Sequence, residues 1–325
     1  MSVIIDVRVL SRNFKDVRAV DDISFHVDRG EIFGFLGANG AGKTTTVRML
    51  TGFISPSSGT VIVDGHDVIK DPVGARRHIG VVPEEANVYG DLSVWNNVML
   101  MAGLYGIPKK TARRRGEELL ARFGLIERKK EKGRVLSKGL KQRLMISMAL
   151  VGDPKILFLD EPTSGLDVMS ARLIRELILE INKETGTTVF LTTHNMQEAE
   201  QLCGRVAIMN KGKIAAIDRP DVLRETVESS RAVEITFKET EGFTESFKLF
   251  KQAVFDKNSA KDVTDITSGV RVYGKEPGET AQDMVTLANK YKLTVDSVNV
   301  IEPGLEEVFI KLTADHGADN RGENG

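Results

Sequence analysis

Cysteine is nearly absent from this chain: Cys203 is the only one among its 325 residues. No disulfide bond can form within the chain, which fits a reducing compartment, and Cys203 itself is expected to be a small buried apolar residue. Long apolar runs are missing as well, since a stretch such as residues 156–159 falls far short of the roughly 20 residues that span a bilayer. The first residues include Asp6 and Arg8 and do not fit a signal peptide. We therefore expect a cytoplasmic chain whose membrane role would depend on a partner.

An excess of charge of one sign is lacking too. Lysine and arginine number 45 and aspartate and glutamate 46, which gives a formal net charge of -1. No bulk positive charge is available to hold a nucleic acid, so we expect no nucleic-acid partner. Hydrophobic residues make up 41% of the chain and charged residues 28%, the balance of a globular protein that buries a core of its own.

Strands and helices are predicted to alternate over residues 1–218. Short runs rich in β-branched residues predict strands, and longer helical patterns such as residues 168–184 separate them. The predicted strands are residues 61–63, 79–82, 156–159, 189–192 and 206–209. Residues 205–209 and 213–217 flank a turn composition, Asn210, Lys211 and Gly212, that favours a hairpin. The alternation is typical of a mostly parallel sheet covered by helices, so the predicted fold class is α/β.

The order of predicted strands and helices changes after Pro220. The predicted order is strand 233–237, helix 244–254, strands 263–266 and 270–273, helix 280–290 and strand 294–300, with a closing helix at 305–312. This β-α-β-β-α-β order predicts a small ferredoxin-like α+β domain over residues 219–313. The polar tail, residues 314–325, is predicted to be disordered.

A glycine-rich loop gives the strongest local signal. The run GANGAGKT matches the P-loop pattern G-x-x-x-x-G-K-[ST], after an apolar strand at 32–36 and at the start of a helix at 44–50. Glycines let backbone N–H groups turn toward an anion, and the helix N-terminus adds partial positive charge. An accidental glycine-rich turn is the alternative, and the flanking strand and helix argue against it. The residues expected to bind the phosphates of ATP are Gly37, Asn39, Gly40, Ala41, Gly42, Lys43, Thr44 and Thr45.

Two carboxylates follow the apolar strand at 156–159. An acidic residue at the C-terminal end of a buried strand lies at the ligand crevice of an α/β sheet. Asp160 is therefore expected to hold Mg²⁺ together with the hydroxyl of Thr44, and Glu161 to act as the general base for the attacking water. An exposed acidic turn is the alternative, and the P-loop beside it argues against that interpretation. Lys43 is expected to reach the β- and γ-phosphates and joins Glu161 as a catalytic candidate.

Three further segments carry a family resemblance. The run LSKGLKQR at 136–143 resembles the signature loop of ABC ATPases and precedes a helical stretch at 142–151. The run TSGLD at 163–167 resembles their D-loop, and TTH at 192–194 resembles their switch-histidine loop. With the P-loop and the acidic pair, five elements occur in the family's order. The resemblance covers roughly residues 3–218 and implies an ABC ATPase domain with a helical subdomain at about 84–152.

The resemblance also implies how the site is assembled. Two ATPase subunits, identical or related, would pair head to tail, with ATP between the P-loop of one and the signature loop of the other. Ser137 and the backbone of Gly139 would contact the γ-phosphate, and Asp167 would couple the two sites. His194 would contact the γ-phosphate as a catalytic residue. Phe14 lies where the family stacks an aromatic ring on adenine; a strand-end core residue is the alternative.

Three residues depart from the family pattern. Glu84 occupies a loop position that often carries glutamine, where its carboxylate would still bind Mg²⁺ but adds negative charge beside ATP. Lys138 and Leu140 stand where glycine and glutamine are common in the signature loop. These changes put the usual hydrolysis rate in doubt without predicting its direction.

The C-terminal run IEPGLEEVF at 301–309 resembles that of exporter subunits for drugs, antibiotics or sodium. We therefore expect an ATP-hydrolysing subunit that drives export of a drug-like compound, lipid or ion through a separate membrane permease, held at the cytoplasmic face of the membrane. Residues 81–105 would face that permease, and residues 219–313 would serve dimerisation or regulation. The alternatives are a soluble ABC ATPase that acts on ribosomes or DNA, and a mechanotransmitter for a membrane complex.

Overall fold

The computed structural model describes residues 2–85, 88–226, 231–238, 243–257, 263–273, 276–301 and 304–314. The chain divides into two compact units, Met1–Pro220 and Asp221–Gly325. The tail predicted to be disordered lies outside the described residues apart from Ala314, which ends a helix. Cys203 is buried, as predicted.

The first unit contains strands and helices in alternation from its third strand onward. In chain order they are β1 (Val3–Phe14), β2 (Val17–Asp28), β3 (Ile32–Gly37), α1 (Lys43–Leu50), β4 (Ser58–Val63), β5 (His66–Asp67), α2 (Pro72–Arg76), β6 (Ile79–Val82), α3 (Val94–Leu104), α4 (Lys109–Arg122), α5 (Lys138–Leu150), β7 (Ile156–Asp160), α6 (Val168–Thr185), β8 (Thr188–Thr193), α7 (Met196–Leu202), β9 (Arg205–Asn210) and β10 (Lys213–Asp218).

A mostly parallel sheet forms the centre of this unit, in the order β10-β9-β3-β8-β7-β6. Neighbouring strands from β9 to β6 are parallel, and β10 returns antiparallel to β9 through the predicted hairpin. Every residue of β3, β7 and β8 is buried, which explains their continuous apolar runs. Phe190 packs between Phe33 and Phe158, with ring centroids 5.6 and 5.3 Å away. The prediction of a helix-covered parallel sheet is confirmed.

A second, antiparallel sheet has the order β2-β1-β4-β5. Its two long strands, β1 and β2, were not predicted from the sequence. Their pairing is interrupted by register shifts, and Val9 and Asp22 have φ angles of 46° and 50°. Because these irregularities break the period-2 alternation of apolar residues, the strands leave no clean pattern in the sequence.

Helices α3, α4 and α5 pack against one another and form a helical layer beside the sheets. Val94 and Val98 of α3 are fully buried in it, whereas Tyr89 just before α3 is half exposed. The apolar residues of this region are therefore divided between core and surface. In the described part of the chain, no helix combines the length and apolarity needed to cross a membrane.

The second unit begins with α8 (Pro220–Glu225), whose first residue closes the first unit. It continues with β11 (Ala232–Phe237), α9 (Phe243–Lys257), β12 (Val263–Ile266), β13 (Gly269–Tyr273), α10 (Pro277–Lys290), β14 (Val295–Ile301) and α11 (Leu305–Ala314). Its antiparallel sheet has the order β12-β13-β11-β14. The predicted ferredoxin-like order is confirmed, and the rings of Phe237 and Phe250, 5.0 Å apart, lie in its core.

Candidate functional site

The loop between β3 and α1 has no room for side chains at two of its glycines. A Cβ at Gly37 would lie 2.6 Å from the backbone oxygen of Met209, and one at Gly42 would lie 2.4 Å from that of Ala19. Gly42 and Gly40 also have φ angles of 106° and 81°, which L side chains rarely adopt. The glycine pattern of the predicted P-loop therefore follows from close packing and from backbone conformation.

Lys43 opens α1 and is only 6% exposed. Its Nζ donates hydrogen bonds to the carbonyl oxygens of Gly37 at 2.7 Å and Ala38 at 3.3 Å, and lies 3.5 Å from Oε1 of Glu161. A buried cation is thus held inside the loop, at the N-terminus of a helix, where backbone N–H groups and the helix dipole favour an anion.

Asp160 ends β7, and Glu161 follows it; they are 6% and 8% exposed. Because β7, β8 and β3 are parallel neighbours, their carboxyl ends meet at one edge of the sheet, and both acids lie at the edge that carries the P-loop. The hydroxyl of Thr192 on β8 donates a hydrogen bond to Oδ1 of Asp160. This bond fixes the carboxylate while its other oxygen stays available for a further ligand.

Glu161 is also bound to His194. The two lie 2.8 Å apart between Oε2 and Nδ1, and since a carboxylate only accepts, Nδ1 carries the proton. The backbone N–H of Glu161 donates to the carbonyl oxygen of Thr192 at 3.0 Å. Glu161 has a φ of 50°, a left-handed conformation that costs a non-glycine residue on the order of 1–3 kcal/mol. The two oxygens of the Glu161 carboxylate have different partners: Oε1 lies next to Lys43 and Oε2 is bound to His194.

The signature-loop residues lie at the start of α5. This helix begins at Lys138, four residues before its predicted start at Gln142, because the hydroxyl of Ser137 caps it by accepting from the N–H of Leu140 at 3.3 Å. Gly139 packs against α6: a Cβ there would lie 2.8 Å from the hydroxyl of Ser170. The position thus requires glycine in this packing.

Asp167 caps α6 in the same way. It accepts hydrogen bonds from the N–H of Ser170 at 2.9 Å and from its hydroxyl at 2.7 Å, and these bonds lower the pKa of its carboxyl. Lys138, at the start of α5, adds a second contact between the two loops. Its Nζ lies so close to Gly165 of the D-loop that a Cβ at this glycine would clash with it. The signature loop and the D-loop of one chain are therefore packed together.

The predicted site residues form two separate groups. Among the described residues, Ser137, Gly139 and Asp167 make no hydrogen bond or ion pair with the cluster around Lys43 and Glu161. Their hydrogen bonds are local ones that cap α5 and α6. The structure of a single chain thus brings together the P-loop and the two acids with His194, and does not bring the signature loop to them.

Two further predicted residues lie at the surface. The ring of Phe14, at the end of β1, is exposed, and the guanidinium of Arg12 covers one face of it at 4.6 Å from the ring centroid. Phe14 is therefore not the core residue of the alternative interpretation. Glu84 is exposed just beyond β6, at the same edge of the sheet as Asp160. The contacts of both with a nucleotide stay predictions.

Sequence reasoning missed polar residues behind the site. Thr192 holds Asp160, and Thr163 donates to the buried carboxyl of Glu198 at 2.7 Å. The signal was present at Thr192, a polar residue near the C-terminal end of a strand that is buried throughout. For Glu198 there was no such signal, because it sits in a polar helical run and its burial depends on tertiary packing.

Comparison with known proteins gives the family. A family model described as ABC transporter matches residues 20–164. The linearmycin resistance ATP-binding protein LnrL of Bacillus subtilis (strain 168) is 34% identical over 294 residues, which cover 90% of this chain and 93% of that protein. The chain belongs to the ABC transporter family. This ABC subunit also resembles the Nod factor export ATP-binding protein I of Burkholderia pseudomallei (strain 1710b), with 40% identity over 71% of this chain and 76% of that protein.

A solved structure supports the fold as well. The ATP-binding cassette MJ0796, in a dimeric post-hydrolysis state bound to ADP and Pi, is 25% identical with a TM-score of 0.61 and covers 66% of this chain and 98% of that one. The predicted P-loop ABC ATPase fold is confirmed. The chain is a nucleotide-binding, ATP-hydrolysing subunit of the ABC transporter family.

Proposed function

We propose that this subunit drives export through a separate membrane permease by an ATP-dependent closure of two ATPase subunits. The observation that carries the proposal is the buried carboxylate of Glu161, held between Lys43 at 3.5 Å and His194 at 2.8 Å. Its two neighbours hold this carboxylate in place at the edge of the sheet that carries the P-loop, where it could act as a general base in hydrolysis of the phosphoanhydride bond of ATP.

Each member of this cluster has a distinct role. A carboxylate oxygen of Glu161 accepts the proton of the attacking water. The ammonium of Lys43 neutralises charge on the β- and γ-phosphates of ATP, together with the N–H groups of the loop. His194 directs its Nδ1 proton to Glu161, and its side chain is about half exposed, so Nε2 would contact the γ-phosphate.

The same edge of the sheet would hold a magnesium ion. Asp160 would supply a buried carboxylate oxygen, and Thr44, the second residue of α1, would supply a hydroxyl. Two protein ligands suffice, because Mg²⁺ keeps several waters and takes phosphate oxygens as its remaining ligands. When bound, the ion would neutralise charge on the phosphate oxygens. Glu84 is a third candidate ligand from the exposed loop after β6.

The second group of site residues would complete the site of another subunit. Ser137 is exposed, and its hydroxyl proton is free to point outward because its oxygen is the acceptor in the α5 cap. With Gly139 and Asp167 it would contact ATP held by the partner, either a second copy of this chain or a related subunit. Adenine would stack on the free face of Phe14.

The names of two relatives support export, whereas the separate permease and the membrane location are what the family resemblance implies. The names of the two relatives refer to linearmycin resistance and Nod factor export, both of which fit outward movement of a molecule. We assign residues 1–218 to the ATPase domain, with its helical subdomain at about 84–152, and residues 219–313 to an accessory domain for dimerisation or regulation. The subunit would lie at the cytoplasmic face of the membrane, held there by the permease.

An affinity purification tests this proposal. Tagged Glu161→Gln chain is purified with ATP from detergent-solubilised native membranes, and co-purifying proteins are identified by mass spectrometry. We expect a polytopic membrane protein in near-equal amount, retained with ATP in Glu161→Gln and less so in Lys43→Ala. Recovery of ribosomes, nucleic acid or soluble proteins alone contradicts the transport proposal. A membrane enzyme or extraction complex as the partner favours mechanotransmission instead.

A further inference from the structure

Helix α7 carries a glutamate that the proposed chemistry does not use. Glu198 lies in the first turn of α7, four residues after His194, and its N–H donates to the capping side chain of Asn195 at 3.1 Å. The residue is 1% exposed, which is rare for a glutamate. A buried acid needs a physical reason to be there, because removing it from water is costly.

The contacts of Glu198 connect two loops of the site. Its Oε1 accepts a hydrogen bond of 2.7 Å from the hydroxyl of Thr163, which lies two residues after Glu161. The same loop is closed by the N–H of Ser164, which donates to the carbonyl oxygen of Glu161 at 3.1 Å. The other oxygen, Oε2, is buried without a hydrogen-bond partner of normal geometry among the residues that the structure describes.

The charges around Glu198 favour its neutral form. Burial raises the pKa of its carboxyl, the charge of Glu161 adds to the increase, and the hydroxyls of Thr163 and Thr193 with the charge of Arg175 on α6 oppose it. A further titratable neighbour, the thiol of Cys203 just after α7, is itself buried, and burial raises its pKa. An ionised Glu198 would place a second buried negative charge near Glu161.

We propose that Glu198 is a positioning residue for ATP hydrolysis, which anchors Thr163 and thereby fixes the loop of Glu161 against the helix that follows His194. The two residues that touch in the site, Glu161 and His194, come from different loops. Glu198 joins these loops from behind, through one side chain on α7. The inference rests on the proposed role of Glu161 as the general base.

A dependence on pH follows from this arrangement. The folded chain holds the proton of Glu198 more tightly than the unfolded chain does. Its contribution to stability is therefore complete below the ordinary glutamate pKa and is lost as the pH rises through the raised pKa. Deprotonation would bury a charge beside Glu161 and strain the anchored loop. We therefore expect kcat to fall as the pH rises through this raised pKa, which gives the pH profile a falling limb on its alkaline side.

The test compares substitutions in the full chain by steady-state ATPase kinetics from acidic to alkaline pH. Glu198→Ala removes the anchor and is expected to lower kcat about 10- to 100-fold with KM for ATP nearly unchanged, since misplacing a catalytic group has effects of that size. Glu198→Gln keeps an acceptor for Thr163 and cannot ionise, so we expect it to retain most of kcat and to lose the alkaline limb. Thr163→Val should lower kcat in the wild-type background and add little to Glu198→Ala.

Gln197→Ala, an exposed neighbour on α7, is the matched control and is expected to behave like the wild type. Wild-type kcat in Glu198→Ala, or a Glu198→Gln variant as slow as Glu198→Ala, would overturn the inference. If Glu198→Ala does not fold, the Glu198→Gln profile decides, and an unchanged alkaline limb overturns it. Normal hydrolysis in Glu161→Gln contradicts the proposed base itself, whereas loss in Glu161→Gln with normal Glu198→Ala contradicts only the positioning role.

Discussion

The two groups of site residues differ in what holds them in place. Lys43, Asp160 and Glu161 are nearly fully buried, and each has a side-chain partner from a different strand or loop. Ser137 and Asp167 are exposed, and their hydrogen bonds only cap the helices that they begin. One half of the site is preorganised within the chain. The other half has a fixed geometry, but its hydrogen bonds to described residues are those of the two helix caps.

The difference has an electrostatic consequence. Charged groups in the first half are already desolvated and oriented, so they act on phosphate without reorganising, which is the condition under which fixed charges stabilise a transition state best. The second half consists of helix N-termini and hydroxyls that keep contact with water. It therefore adds little to binding by one chain and adds to catalysis only when another molecule covers it.

Substitution of the base should give the largest effect. We expect Glu161→Gln to lower kcat about 10²- to 10⁴-fold, the size of a general-base contribution, with ATP affinity retained because Lys43 and the P-loop are intact. ATPase assays, equilibrium nucleotide binding and size-exclusion chromatography with ATP measure this. Glu176→Gln, an exposed glutamate on α6 paired with Arg172, is the control. A variant that hydrolyses normally and stays monomeric with ATP contradicts the assignment.

Loss of the ammonium group of Lys43 should give the second-largest effect. Lys43→Ala removes the charge-assisted contacts to phosphate and leaves Glu161 buried without its cation, so ATP affinity should fall about 10- to 100-fold, the equivalent of roughly 1.5–3 kcal/mol. Equilibrium binding of a fluorescent ATP analogue to the isolated chain measures the change. Lys213→Ala, on the exposed hairpin strand, is the control. Unchanged affinity would count against the P-loop assignment.

Substitution of Ser137, in the exposed half of the site, should have a smaller effect, confined to hydrolysis. Ser137→Ala should lower kcat about 10-fold, with ATP binding by the single chain unchanged, since one hydrogen-bond donor to the transition state is lost. Ser137→Asp sharpens the comparison, because aspartate keeps the cap of α5 but directs a negative charge outward.

The aspartate variant should therefore hydrolyse more slowly than the alanine variant while its melting temperature stays closer to the wild type. If hydrolysis and melting temperature fall together in the two variants, Ser137 is only a helix cap. If ATP binding by the single chain weakens instead, the two halves of the site are not separate in the way proposed.

The sequence predicts the local structure of the first half of the site for physical reasons. A P-loop needs glycines where Gly37 and Gly42 approach other backbone, and a buried strand that ends in Asp160 and Glu161 has an unmistakable composition. These constraints act on residues close together in the sequence. The same holds for the second unit, whose strands and helices alternate with clear periodicity and follow the predicted order.

What the sequence could not predict depends on contacts between distant segments. Glu198 lies 35 residues from Thr163, and Gly139 meets Ser170 from another helix, so neither contact has a local pattern. The early start of α5 is an exception: Ser137 is a good capping residue, and its capping role could have been predicted. Strands β1 and β2 were missed because bulges disturb their alternation.

The smallest effect concerns the packing of the signature loop against the D-loop. Ser170→Ala removes the 2.7 Å bond from its hydroxyl to Asp167 but keeps the 2.9 Å bond from its N–H, so the cap of α6 persists. The carboxylate of Asp167 then rotates more freely. We expect kcat to fall only about threefold, with ATP binding by the single chain unchanged, because water replaces the lost hydroxyl at this exposed carboxylate.

Arg172→Ala, which alters an exposed pair on the same helix, is the control for this small change. Paired ATPase and binding measurements on the two variants resolve a threefold difference. A loss as large as that of Glu161→Gln would mean that Asp167 belongs with the buried, preorganised group. No loss at all would mean that the hydroxyl of Ser170 only fills space beside Gly139, and that the bond at Asp167 has no part in coupling the D-loop to hydrolysis.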